Sequence, residues 1–390
     1  MPKILNNDKM VVPIRKSPIR LLQTVSTESF KASDVVVQTL PVDLQAEKPA
    51  WNKLLFGHHV TDHMIKIRWT SNNGWDVPTI VPVQNFSLHP YAKVFHYAQE
   101  LFEGMKAYRG NDNKIRLFRP DMNMKRMKMS AARLCLPDFD GDELIELIKH
   151  LLRIDESWVP PYESNASMYI RPTLMGIEPT LGVSPSNEAI LFVVMGPVGP
   201  YFSTGQLKPV SLLATTKFVR AWPGGSGDRK LGANYAPTLL AQKEAAASGQ
   251  QQVLWLHGPD YLLTEVGTMN IFMLSRRTDG TVELATPPLE DGLILPGVTR
   301  DSLLALTRSW AEFEVVERTI SMAEVDQLIN EGRMLEMFGA GTACVVCPIG
   351  EIHFKEKVFH IPEPKLAGRL LKDLTDMQYG LTPHPWSVLV

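Results

Sequence analysis

Lys230 lies within GGSGDRKLGANYAP, residues 224–237, a lone amine in a run of glycines. Glycine lets backbone come close to a ligand, so the placement fits either a reactive amine in a pocket or a surface turn. Two other segments could bind an anion. LPGVTRDSLLALTRSW puts Gly297, Val298 and Thr299 at the start of an amphipathic helix, and GAGTACVV puts Gly339, Gly341 and Thr342 in a nest-like turn. Amides at a helix start, with hydroxyls beside them, hold phosphate oxygens without further machinery, although either segment could equally be a structural turn. Neither has the spacing G-x-x-x-x-G-K-[ST], and no G-x-G-x-x-G follows a strand, so nucleotide hydrolysis and dinucleotide binding lose ground. LLTEVGTMNIF adds Glu265, a carboxylate on a strand approaching a glycine, where the competing reading is a solvated strand glutamate.

A phosphate site without a nucleotide signature, together with a lysine among glycines, suits pyridoxal phosphate. Its aldehyde takes a lysine amine, its phosphate takes amides and a cation, and its ring nitrogen takes a carboxylate that keeps it protonated. A candidate for each role is present.

The elements that must position these groups are interleaved strands and helices. HMIKIRW alternates as a half-buried strand, DELIELIKHLLRI (142–154) repeats apolar residues at helical spacing, and MYIRPTLMG and AILFVVMGPVGPYF are strong strands. Gly and Pro concentrate at 196–209, where we expect the boundary between two domains. Beyond it come strands in VSLLAT, QQVLWLHG, TMNIFML and TVELATP, and helices after Pro237, Gly297 and Ser321. SMAE at 321–324 predicts a capping box, with the Ser321 hydroxyl and the Glu324 carboxylate both serving first-turn amides. The expected division is a basic N-terminal extension (1–29), a small domain (30–198), an interdomain loop (199–209) and a large domain (210–390).

Composition bounds the partners. The 390 residues are 44% hydrophobic and 21% charged, and 40 basic against 42 acidic residues leave a formal charge of −2, with no field favouring nucleic acid or anionic membrane. AILFVVM, the longest apolar run, is far short of the about 20 residues that span a bilayer. Three cysteines exclude a disulfide framework and fit a reducing compartment. Through residue 27 the chain carries five Lys and Arg (3, 9, 15, 16, 20) and one acid, Asp8, a pattern like a mitochondrial transit peptide. Pro13 and Pro18 interrupt a helix there, and a basic tail on a cytoplasmic protein reads equally well.

LFEGMKAY, YIRPTLMG, KLGANYAPTLLAQKEA, TEVGTMNIF, LPGVTRDS and GTACVVCP, in this order, resemble the eukaryotic branched-chain amino-acid aminotransferases, pyridoxal-phosphate enzymes of fold-type IV, over residues 30–380 or so. The resemblance implies an α/β (α+β) fold of two domains, each built of sheet plus helices. It implies transamination of leucine, isoleucine or valine with 2-oxoglutarate, giving branched-chain 2-oxo acids and glutamate, and it implies a homodimer whose interface completes the active site. It makes Lys230 the Schiff-base lysine and the base that moves the substrate α-proton. Glu265 would pair with the pyridinium nitrogen and Tyr235 with the phenolic oxygen. Phosphate would fall to Arg126, Val298, Thr299 and Thr342, with Arg220 and Thr268 lining the site. Ala233 and Ala236 stand where the family usually has glycine, small-for-small departures from which little effect is expected.

The implied substrate positions are Phe56, Tyr97, Tyr169, Arg171, Val183 and Tyr201, with Thr342 and Ala343 for the α-carboxylate. A pocket taking both an apolar and an anionic side chain needs aromatic walls with a few polar groups, and Tyr169 and Arg171, two apart on a strand, share one face. Any one of these aromatics could instead be ordinary core. CVVC at 344–347 could be a dithiol centre, half a zinc site or two incidental thiols. No second C-x-x-C or His pair completes a zinc site, so no metal is expected, and the resemblance implies a thiol switch at Cys344 and Cys347. Related D-amino-acid aminotransferases and aminodeoxychorismate lyases share the fold and lysine, but FHYAQELFEGMKAY, YIRP and GTACVVC fit the branched-chain pattern better. A non-catalytic protein on the same fold is the rival from another class; Lys230, Tyr235 and Glu265 argue against it.

Overall fold

The computed structural model describes residues 29–199 and 207–390. The expected basic extension, apart from its last residue, and Tyr201 of the interdomain loop lie outside them.

Two mixed sheets carry the architecture. Across the first the order runs Val36–Val37, Thr79–Pro82, His63–Thr70, Glu188–Val198, Ser167–Gly176, Met105–Arg109, Ile115–Phe118 and Ser387–Leu389, with Glu100–Phe102 added on Ser167–Gly176. The second runs Leu262–Val266, Gln252–His257, Val210–Thr215, Val345–Phe354, Met334–Gly341, Met269–Arg276, Val282–Thr286 and Glu314–Glu317. The strands read from apolar patterning all form, several within a residue or two of the expected bounds. The last strand does not follow the linear division: Ser387–Leu389 returns to pair with Ile115–Phe118 of the first sheet.

Helix Gly141–Ile154 shows how sequence becomes packing here. Asp140 accepts from the first-turn amides of Asp142 and Glu143 at 2.9 and 3.3 Å, satisfying donors the helix cannot satisfy itself. Leu144, Leu147, Ile148 and Leu151, on one stripe, are then fully buried against Ile65, Leu117, Ile170 and Leu191 of the first sheet. Between the sheets, Tyr108 and Phe118 join Phe272, Leu303, Phe338 and Leu370 in a common cluster in which the Phe272 and Phe338 rings stack at 5.2 Å. Continuous apolar contact of this kind holds the facing strand ends, and the loops between them, in fixed register.

Two local expectations need correction. At Ser321 only half the capping box forms: the hydroxyl accepts from Glu324 N–H at 3.1 Å, but the Glu324 carboxylate is taken by Arg318, a charged partner stronger than a backbone amide. The GAGT segment is not a free nest. Gly339 and Gly341 are strand residues paired with Cys347 and Val345, and the turn proper is Thr342–Cys344, closed by Val345 at φ 64°. That left-handed value is unusual for a β-branched residue and places the strain of the hairpin at the cavity edge.

Candidate active site

A cavity of about 510 Å³ opens where strands 100–102 and 167–176, the 230–235 segment, the start of helix Val298–Trp310 and the 341–344 turn meet. Lys230 is fixed in it by its own backbone. Its N–H donates to Ser130 Oγ at 3.0 Å, and its carbonyl accepts from Phe102 N–H at 3.1 Å, so helix and strand clamp the residue from two sides. A short 3-10 turn, Gly232–Asn234, then doubles the chain back and brings the Tyr235 hydroxyl to 3.1 Å from Lys230 Nζ. The amine also lies 4.7 Å from the centre of the Phe102 ring. Asn234 ties the glycine-rich loop, its amide donating to the carbonyls of Ser226 and Arg229 at 2.7 and 2.8 Å. Ala233 and Ala236 are exposed, in keeping with the small effect expected of those departures.

Arg126 reaches the cavity from helix Pro120–Arg133. It makes a two-pronged pair with Glu103 at 2.7 and 2.8 Å and donates to the Pro296 carbonyl at 3.1 Å, holding the loop that leads into helix 298–310. Burial works to lift the Glu103 carboxyl, but Arg126, Lys230 and Asn123 outweigh it and hold Glu103 below the usual carboxylate range. Sequence reasoning missed Glu103. A carboxylate twenty-three residues from its arginine has no spacing signature, and only the strand-to-helix packing joins them.

The far wall is a helix start without a side-chain cap. Gly297 offers helix 298–310 no side-chain cap, which leaves the first-turn amides without side-chain acceptors, and Val298 and Thr299 line the cavity. Thr268, Thr342 and Ala343 line it as well, and so do Phe56, Tyr169 and Arg171. Tyr169 and Arg171 do share a face: Arg171 donates to the Tyr169 hydroxyl at 3.1 Å, and Phe56 meets Tyr169 edge-on with centroids 4.9 Å apart. Gly104 is needed here, because a Cβ at that position would overlap the Tyr169 hydroxyl. A tethering amine, an uncapped helix start and flanking hydroxyls are the donor set that a phosphorylated aldehyde cofactor requires.

Not every expected residue walls this cavity. Glu265 is buried behind it and bonded to Arg220 at 2.9 Å and to Leu295 N–H at 2.7 Å; burial raises its pKa against the pull of Arg220, that amide, Lys230 and Arg126. Arg220, rather than lining the site, neutralises Glu265 and donates to the carbonyls of Gly227 and Leu293. Tyr97 bonds to the Leu181 carbonyl outside the cavity, and Val183 is 84% exposed. Cys344 and Cys347 are buried. Cys344 approaches Met269 Sδ at 3.1 Å, and burial pushes its thiol pKa up to about 12 and that of Cys347 higher still. Lys106, also unforeseen, donates to the Ala343 carbonyl at 2.8 Å and so braces the 342–344 turn.

The class IV amino-transferase family matches residues 100–352. The cytosolic branched-chain-amino-acid aminotransferase of Mus musculus is 53% identical over 93% of this chain and 94% of its own length, and the mitochondrial one of Rattus norvegicus is 51% identical over 93% of each. A T.th. branched-chain amino acid aminotransferase, solved with N-(5'-phosphopyridoxyl)-L-glutamate, superposes with TM-score 0.65 at 26% identity, covering 83% of this chain and 97% of that one. The family match contains Lys230, Tyr235 and the lining of the cavity apart from Phe56, and the chain belongs to the pyridoxal-phosphate-dependent class IV aminotransferases, among the branched-chain-amino-acid aminotransferases.

Proposed function

We propose that the chain moves the amino group of leucine, isoleucine or valine to 2-oxoglutarate, with Lys230 as the residue that holds pyridoxal phosphate and shuttles the proton. The observation that carries this reading is the Lys230 amine, 3.1 Å from the Tyr235 hydroxyl and directed into a cavity whose opposite wall is an uncapped helix start. When bound, the cofactor supplies the electron sink that makes the substrate α-proton removable. Val298, Thr299, Thr342 and Arg126 would hold its phosphate and Thr268 its flank, while Glu265, its charge balanced by Arg220, would face the ring nitrogen. Tyr235 orients Lys230 Nζ, which takes the proton from the substrate α-carbon and returns one on the other side of the reaction. Thr342 and Ala343 at the hairpin tip meet the α-carboxylate. Phe56 and Tyr169 enclose an apolar side chain, and Arg171 offers a cation to an anionic one.

Tyr97 and Val183 stand outside this chain's own cavity, beside exposed Tyr91, Phe95 and Leu181. Apolar groups of this size left in water support a homodimer in which they complete the partner's site. The Cys344/Cys347 pair is proposed as regulatory, slow to oxidise because both thiols are buried and protonated. For location, relatives of cytosolic and of mitochondrial type both occur, and the basic, acid-poor first 27 residues favour the mitochondrion. The direct test of the activity is glutamate formation from leucine and 2-oxoglutarate. Activity in the parent protein and none in Lys230→Ala supports the reading, and equal rates in the two would end it.

A further inference from the structure

We infer that Glu100 sets the balance between apolar and anionic side chains in the cavity, by competing with a substrate's side-chain carboxylate for Arg171. The inference rests on the proposed role of Arg171 as a substrate contact.

Glu100 begins the short strand Glu100–Phe102, which pairs antiparallel with Thr173–Met175 of the strand that carries Tyr169 and Arg171. Its half-buried carboxylate lines the same cavity as Arg171, Lys230 and Gly232. The close approach depends on Gly232, where a Cβ would overlap Glu100 Oε1. Among the described residues no group donates a hydrogen bond to this carboxylate. Arg171 has the complementary deficit. One nitrogen serves Tyr169, the guanidinium lies 4.6 Å over the Phe102 ring, and Nε is buried without a hydrogen-bond partner. Burial raises the Glu100 pKa, and the positive charge of Arg171 offsets only part of that rise. The other cations of the cavity are engaged elsewhere, Arg126 by Glu103 and Lys230 by Tyr235.

Beside a leucine side chain, Arg171 is a desolvated cation, and the Glu100 charge compensates it. Beside a 2-oxo dicarboxylate the substrate brings its own anion to Arg171, and Glu100 then repels it. One carboxylate thereby makes the apolar substrate tolerable while weakening the anionic one. This is a way for a single pocket to serve both half-reactions without either product saturating it.

The test measures kcat/KM of the holoenzyme for 2-oxoglutarate and for 4-methyl-2-oxopentanoate at one pH, and takes their ratio. In Glu100→Gln the ratio should rise about tenfold, a value typical of removing one close like charge, through a lower KM for 2-oxoglutarate and little change in kcat. Glu100→Met, equally neutral, should move the ratio the same way. Because both substrates are read on the same preparation, loss of folded protein cancels. A ratio unchanged or lowered in both variants overturns the inference. Arg171→Gln separates the two levels. If it lowers the ratio while the Glu100 variants fail to raise it, only the role of Glu100 falls; if it leaves the ratio unchanged, the reading of Arg171 and the inference fall together.

Discussion

At the scale of the single residue, Tyr235 holds the Lys230 amine at 3.1 Å, beside the contact with the cofactor's phenolic oxygen that the resemblance implies. A hydrogen bond between uncharged groups is worth about 0.5–1.5 kcal/mol. Tyr235→Phe should therefore lower kcat roughly 2- to 10-fold with no loss of melting temperature, and an unchanged kcat would remove the tyrosine from the mechanism. Lys106 supplies a pH signature. Burial lowers its pKa from 10.5 to about 8, so between those values the unfolded chain keeps a proton that the folded one has released. Stability relative to Lys106→Met should be flat below pH 8, rise with pH up to about 10.5 and level off above, as read from urea unfolding at a series of pH values. The thiols divide in the same physical way: iodoacetamide should modify exposed Cys135 quickly, and Cys344 and Cys347 only slowly. The family resemblance pointed to Lys230, Tyr169 and Arg171, and all three line the cavity; glycine placement and two-residue strand spacing were the local signals that agreed with it. Glu100, Glu103 and Lys106 were not legible in the sequence, since their partners lie on other elements and only folding supplies the meeting.

Lys230 belongs to no helix or strand, and its precision is borrowed from helix Pro120–Arg133 and strand Glu100–Phe102, which clamp its backbone from two sides. Helix Met322–Asn330 shows how the start of a helix is stabilised. The Ser321 hydroxyl satisfies one first-turn amide, and Ser321→Ala should cost about 1 kcal/mol, seen as a lower urea midpoint with an unchanged slope. Helix Val298–Trp310 is the opposite case: Gly297 supplies no side-chain cap, and the first-turn donors have no side-chain acceptor there. Both helices could be read from their start signals, and neither signal told which end would be capped by the chain itself. The carboxylate of Glu324 shows the limit of such motifs, because Arg318 outcompeted the amide the motif assigns to it. The hairpin at 341–345 was legible as glycine-rich but not as a hairpin, since two of its three marked residues are drawn into strand pairing.

For the molecule as a whole, alternating and continuous apolar runs announced the mixed fold, while the return of Ser387–Leu389 to the first sheet had no local signal: a three-residue strand is recognised only by its neighbour. Exposed Tyr97 and Val183 make a prediction at this scale too. Sedimentation should show a homodimer at micromolar concentration, and Val183→Asp, a charge placed where an apolar contact is proposed, should weaken association and activity together; activity surviving in a monomer would dismiss the shared site. The central claim is that Lys230 holds pyridoxal phosphate and carries both half-reactions, and the visible absorption spectrum addresses it most directly. The purified protein should show a cofactor band that leucine bleaches and 2-oxoglutarate restores, with no such cycle in Lys230→Ala. Absence of any band after pyridoxal phosphate is added, or a full cycle in Lys230→Ala, would contradict it.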